Sequence, residues 1–411
     1  MGAKDVIQTS AIVLAAGLVA QVVSDFLRTP RMIVLVAAGV VLGPHATDAV
    51  DVPLDSLGAQ LVFSLGVSLI LFYGGLGLSA RVLARVGIGL GLLAVPGVIV
   101  TALLTGFAAS AAFDLPFSQG FLIGAVLAPT DPAILIPLFE RLRVRPRLVQ
   151  TIVAESALND PIGAVLALTT AAFVVGGGGS VAGAAGDFFA DLGISIALGV
   201  VLGLLLALLI SEHRFGIWRE SPALVVGLAV AAGYVGIDSA GGSGYLGAFI
   251  AGLIAGNAEE LRLPVGAEAR REVDFFAQLA ADLVVLVVFV ILGANLPLGD
   301  MVDNAGPALA VLAVLVFVAR PIVVAVCLLP DRRAVWTRPE LVFLAWTRET
   351  GVVPAALVGL LVAQGVPIEE ELVTVVALAV VVTLLVQSTT KPWLARRLGL
   401  IEAEQAPSGA Q

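Results

Sequence analysis

The chain has 411 residues, 59% of them hydrophobic and 13% charged, with a mean hydropathy of +1.06. A soluble protein of that size needs more polar surface, so the composition calls for a polytopic membrane protein. A formal charge of −9 argues against nucleic acid as a partner, and the single cysteine, Cys327, excludes an internal disulfide and argues against a metal cluster. No enzyme chemistry and no cofactor are expected.

Apolar stretches of about twenty residues are the unit that spans a bilayer. They fall near 6–26, 32–50, 59–79, 86–112, 118–139, 149–175, 189–210, 221–238, 243–257, 274–298, 305–329, 340–363 and 371–390, which predicts thirteen spans. The first has no small-residue cleavage site after it and is expected to be a retained helix. Arg28 and Arg31 follow the first span, Arg81 and Arg85 the third, and Arg141, Arg143, Arg145 and Arg147 the fifth. Arg214 and Arg219 follow the seventh, Arg262, Arg270 and Arg271 the ninth, Arg332, Arg333 and Arg338 the eleventh, and Lys391, Arg396 and Arg397 the last. The alternate connections carry acids instead, among them Asp48, Asp114, Asp187, Asp238, Asp300 and Glu369. By the positive-inside rule the N-terminus is expected outside and the C-terminus in the cytoplasm, in a multi-pass protein of the cell membrane.

Gly176–Gly179 open a flexible connection near the middle of the chain. It separates a six-span half at 1–175 from a linker with span seven at 176–220, a second six-span half at 221–390, and a short tail at 391–411 that is expected to be cytoplasmic, with no sensing module expected. An odd helix between two equal halves gives them opposite orientations, the inverted-repeat plan of many secondary transporters. The expected fold is therefore an all-α membrane bundle of two inverted six-helix repeats, with interrupted helices crossing at the midplane.

Of 22 basic residues, only Arg320 and Arg348 fall inside the predicted spans. A charge at the bilayer centre costs about 2.5–3.5 kcal/mol on insertion scales, so such residues mark an ion or proton path by default. Span five reads Leu127-Ala128-Pro129-Thr130-Asp131-Pro132, and span twelve Arg348-Glu349-Thr350-Gly351-Val352-Val353-Pro354. Proline removes a backbone donor and disfavours helical geometry in the residue before it, so both helices should unwind in mid-membrane. Paired interruptions at matching places in two repeats point to a substrate site. On span six, Ser156 and Asp160 share one helical stripe, with Glu155 and Asn159 on the next. Asp160, Ser156, Thr130 and Asp131, with unwound carbonyls, offer the oxygen ligands a dehydrated monovalent cation needs. A carboxylate also binds a proton. One side chain that holds either ion but never both makes an exchanger.

These residues resemble those of the cation:proton antiporter superfamily, in particular the NhaP-type sodium/proton antiporters. The similarity runs over nearly the whole chain. It includes Gly39-Val40-Val41-Leu42-Gly43-Pro44, Leu71-Phe72-Tyr73-Gly74-Gly75-Leu76, Ala128-Pro129-Thr130-Asp131-Pro132, the Glu155 to Asp160 segment, the Gly247 to Asn257 run and Ala319-Arg320-Pro321. The resemblance implies that Asp160 is the exchanged carboxylate, that Asn159 supports it, and that Asp131 balances the helix ends at the crossing. It implies a structural ion pair between Glu155 and Arg320, with Arg348 as the alternative partner. It further implies electroneutral exchange of one cation for one proton, a homodimer, and elevator-like alternating access. Two positions depart from the family pattern. Tyr73 stands where many relatives have an acid and is read as a packing aromatic. Glu349 stands where relatives usually have glycine and is read as neutralising Arg348.

The function expected is secondary active exchange of Na+, with Li+ or K+ as other candidates, for H+, in the service of pH homeostasis. The ligand set suits K+/H+ exchange as well. A gated monovalent cation channel on the same residues is the alternative from another class, and it predicts conductance without coupled proton movement.

Overall fold

The computed structural model describes residues 3–27, 29–131, 144–331 and 335–401. Pro132 with the second half of span five, and Arg28, Arg141, Arg143, Arg332 and Arg333, lie outside the described residues. The fold is all-helical, with no β-strand among the described residues. The first half comprises α1 (Ala3–Leu27), α2 (Arg31–Leu42), α3 (Leu57–Leu76), α4 (Ala80–Ala94), α5 (Pro96–Phe113), α6 (Phe117–Leu127) and α7 (Pro146–Val175). Next come α8 (Val181–Ile210), α9 (Pro222–Ser239), α10 (Gly244–Gly256) and α11 (Ala267–Ala294). The chain closes with α12 (Leu298–Asp303), α13 (Ala305–Leu328), α14 (Arg338–Trp346), α15 (Val352–Ala363) and α16 (Glu369–Arg397). Nine helices among the described residues are long and apolar enough to cross a bilayer, and α2, α6, α10 and α15 are shorter apolar helices. These thirteen fall where the apolar stretches predict spans.

Proline and charge set the helix ends. Pro96 opens α5 at a position where its missing N–H costs nothing, so span four is two helices meeting at Val95. In α13, Pro321 cannot donate to the turn before it, and the helix widens into a π-turn over Leu315–Ala319 immediately before Arg320. α16 continues through Pro392 to Arg397, and Lys391 within it is wholly buried. The predicted end of span thirteen at 390, with a tail from 391, is thus corrected. Hydropathy reads a lysine as the end of a span, whereas here its charge is met inside the protein.

Close backbone approach holds the halves together. α3 packs on α10, and α2 on α11. A methyl group added at Gly252 of α10 would stand 2.1 Å from the Phe72 carbonyl oxygen, and one at Gly293 of α11 would stand 2.2 Å from that of Val36. Only glycine lets the helices come so near. The two pairings, span three with nine and span two with ten, exchange into each other when the two halves are interchanged in order, as a two-repeat plan requires. Outward-facing residues such as Leu18, Val22 and Phe26 on α1 are apolar and exposed, as a surface in contact with lipid must be.

Candidate functional site

α6 stops at Leu127: Ala128 still has helical dihedrals, but Pro129 has no N–H to carry the next helical bond. The last carbonyls of a helix have no partner of their own and carry partial negative charge. Here Arg348 meets them: its guanidinium donates to the carbonyls of Pro129 at 2.6 Å and Ala128 at 2.9 Å, and to that of Leu127. Arg348 is one of the largest fully buried side chains in the protein.

The partner helix breaks in the complementary sense. Between α14 and α15, Thr347–Gly351 is non-helical, and α15 begins at Val352. Asp131 Oδ2 accepts from the Val352 N–H at 3.3 Å, and the Asp131 N–H donates to the Glu349 carbonyl at 3.1 Å. A carboxylate at a helix N-terminus and a guanidinium at a C-terminus both oppose the local dipole. Each interrupted segment therefore supplies the charge that the other's helix end needs. Gly351 is required at the contact, since a Cβ there would lie 2.0 Å from the Asp131 carboxylate.

α7 brings the remaining predicted residues to this crossing. Ser156 Oγ donates to the Thr130 carbonyl at 2.5 Å, which leaves its lone pairs as acceptors for a cation. Asn159 grips Thr130 from both ends of its amide: Nδ2 donates to Thr130 Oγ1 at 2.8 Å, and Oδ1 accepts from the Thr130 N–H at 3.2 Å. Asp160 stands next to this knot, with the Thr130 backbone facing its carboxylate and with Asp131 and Arg348 as the charges acting on it. Pro161 removes the N–H that would have bonded the Ala157 carbonyl, freeing an oxygen one turn away. Glu155, Ser156 and Asn159 are sealed from solvent, whereas Asp160 keeps accessible surface. Among the described residues, no ion pair forms on Asp160.

Glu155, on another face of α7, forms a two-armed pair with Arg320: Nη2 to Oε2 is 3.0 Å, and Nη1 meets Oε1. Arg320 Nε also donates to the Leu344 carbonyl, 3.0 Å away at the end of α14. Arg320 thus occupies the Glu155 carboxylate, and the alternative pairing with Arg348 is corrected. Arg348 is drawn instead to the unpaired carbonyls of α6, three acceptors in one place. Glu349 does not neutralise Arg348 either, because its carboxylate pairs with Lys391 Nζ. Tyr73 packs at the edge of an apolar cluster with Phe72 and Leu206, and the charges that act on it are Asp282 and Asp274 of α11. Sequence reading missed Thr383, Gln387 and Lys391, which line the inner face of α16. Their four-residue spacing in an apolar helix is a signal that can find them.

The sodium/hydrogen exchanger family model, a transmembrane family, matches residues 10–397 of the chain. The chain belongs to that family. It is 28% identical to the K(+)/H(+) antiporter NhaP of Alkalimonas amylolytica over 416 aligned positions, covering 96% of this chain and 67% of that protein. With Na(+)/H(+) antiporter 1 of Methanocaldococcus jannaschii it shares 30% identity over 358 positions, covering 84% of this chain and 80% of the relative. The solved structure of the sodium proton antiporter MjNhaP1 from the same archaeon superposes with a TM-score of 0.83 at 24% identity, over 96% of this chain and 99% of that one. That likeness shows that the two share a fold.

Proposed function

We infer that this exchanger-family protein swaps a monovalent cation, Na+ or K+, for H+, with both ions competing for Asp160. One observation carries the reading. The other buried charges at the crossing are engaged: Glu155 with Arg320, Glu349 with Lys391, Arg348 with the α6 carbonyls, and Asp131 with the start of α15. Among the described residues of the crossing, Asp160 is the carboxylate left with accessible surface and no ion pair. Asp160, Ser156 Oγ and the freed Ala157 carbonyl provide oxygens for a cation, and Asn159 and Thr130 hold the geometry. A single exchanging carboxylate supports electroneutral exchange, one cation per proton.

The further organisation belongs to the same proposal. The two halves, 1–175 and 221–390, act as inverted repeats, with the N-terminus outside and the C-terminus in the cytoplasm. The transporter works as a homodimer by alternating access, and needs no cofactor. The test is exchange in liposomes with an imposed pH gradient and an internal pH dye, with Na+, Li+ and K+ added separately. Asp160→Asn, of nearly equal size, should abolish cation-dependent proton release while the protein stays folded. Exchange that persists in the variant would sink the assignment. Cation flux without proton movement in the unaltered protein would favour the channel.

A further inference from the structure

Thr347–Gly351 is non-helical backbone inside a membrane protein, where each N–H and C=O must find its partner within the protein. α16 supplies acceptors for two of these N–H groups along one stripe. Thr383, Gln387 and Lys391 lie four residues apart and are sealed from solvent. Thr383 Oγ1 accepts from the Thr350 N–H at 3.0 Å, and Gln387 Oε1 accepts from the Arg348 N–H at 3.0 Å. Lys391 Nζ closes on the Glu349 carboxylate, with both side chains buried. The register is physical. Four residues of helix advance about 6 Å, and alternate N–H groups of an extended chain lie about 6.6 Å apart. A helical stripe of period four can therefore serve as the edge that an isolated strand lacks. From its other side the same segment sends the Arg348 guanidinium to α6 and the Glu349 carbonyl to Asp131. Where α16 holds the segment decides where both charges stand relative to Asp160.

We propose that Glu349 and Lys391 are a positioning pair for the exchange site: they clamp Thr347–Gly351 to α16, and so hold Arg348 and Asp131 in place beside Asp160. They also cancel each other's charge, so the additional carboxylate of Glu349 does not compete for the transported ions. Neither residue touches the transported ion. The proposal rests on the assignment of exchange to Asp160.

The test uses the full chain with Glu349→Gln, Lys391→Met and the two combined. Cation-dependent proton release is recorded in liposomes over a range of Na+ and K+ concentrations. Hydrogen–deuterium exchange is followed on the peptide covering residues 347–351. Each single variant leaves a buried charge without its partner, which displaces the segment. Misplacement by about 1 Å can lower the rate of positioned chemistry on the order of 100-fold. Maximal exchange should therefore fall by up to about 100-fold, the apparent cation KM should rise, and the segment should lose amide protection. The double variant keeps the Thr383 and Gln387 contacts and leaves no buried charge unpaired. It should return the KM and the protection towards those of the unaltered protein. Single variants with unchanged KM and protection would overturn the proposal, and so would a double variant no better than the singles. Should one single variant fail to fold, the other single variant is compared with the double variant. Amide protection is read without transport. Absence of exchange in the unaltered protein would therefore refute the Asp160 assignment while the clamp is still judged.

Discussion

Removing Glu155 should cost far more than removing Glu155 and Arg320 together. Their side chains are 3% and 4% exposed, with two guanidinium-to-carboxylate contacts and one further bond from Arg320 Nε to the Leu344 carbonyl. Glu155→Leu leaves the guanidinium sealed in the protein with a single neutral acceptor. Breaking a buried pair on one side costs about 3–5 kcal/mol, because the surviving charge stays desolvated. Replacing both partners with apolar groups is often neutral or stabilising by about 1–4 kcal/mol. Against that gain, Glu155→Leu/Arg320→Met also strands the Leu344 carbonyl, a loss of about 1–3 kcal/mol. The double variant should thus lie within about 3 kcal/mol of the unaltered protein, and the single should lie at or beyond that limit. Unfolding in detergent, followed by fluorescence of the four tryptophans, measures both. Because Glu155 lies off the Asp160 face, the double variant should also keep cation–proton exchange. A single variant costing under about 1 kcal/mol would refute the account of the pair as a buried, desolvated bridge.

Gly351→Ala places a methyl group 2.0 Å from the Asp131 carboxylate, so the crossing must open. Overpacking of this kind costs about 1–3 kcal/mol, and exchange should fall sharply in the liposome assay even where detergent-purified protein remains folded. Asn159→Ala removes both amide contacts to Thr130, each buried, for a loss of about 1–3 kcal/mol and weaker apparent cation affinity. An unaltered cation titration would rule out a supporting role for that amide. Tyr73→Phe deletes only a hydroxyl at the edge of an apolar cluster, so exchange rate and cation preference should both stay as they are. A change of preferred cation would move Tyr73 into the ion path.

Much of the fold was legible because the bilayer permits few solutions. Thirteen apolar stretches appear as nine long helices and four short ones, and the breaks lie beside Pro129 and just before Pro354, where proline denies the backbone a helical bond. Thr130, Ser156, Asn159 and Asp160 could be grouped in advance because Ser156 and Asp160 lie on one stripe of one helix, Asn159 on the next, and Thr130 beside a proline break. Lys391 was misplaced for the opposite reason. Its partner Glu349 is 42 residues away, and no local pattern distinguishes a buried lysine from one that ends a span.

By itself the sequence determined the environment, the number of apolar spans, the places where helices must break, and which side chains carry chemistry. All of these follow from local constraints, namely hydropathy, backbone donors and helical spacing. Only the tertiary structure decided the pairing of charges. Arg320 rather than Arg348 answers Glu155, Arg348 caps α6, Asp131 caps α15, and Lys391 answers Glu349. The physical reason is that a buried charge is satisfied by whatever lies within about 3 Å of it, and such neighbours come from helices that only the packed bundle brings together.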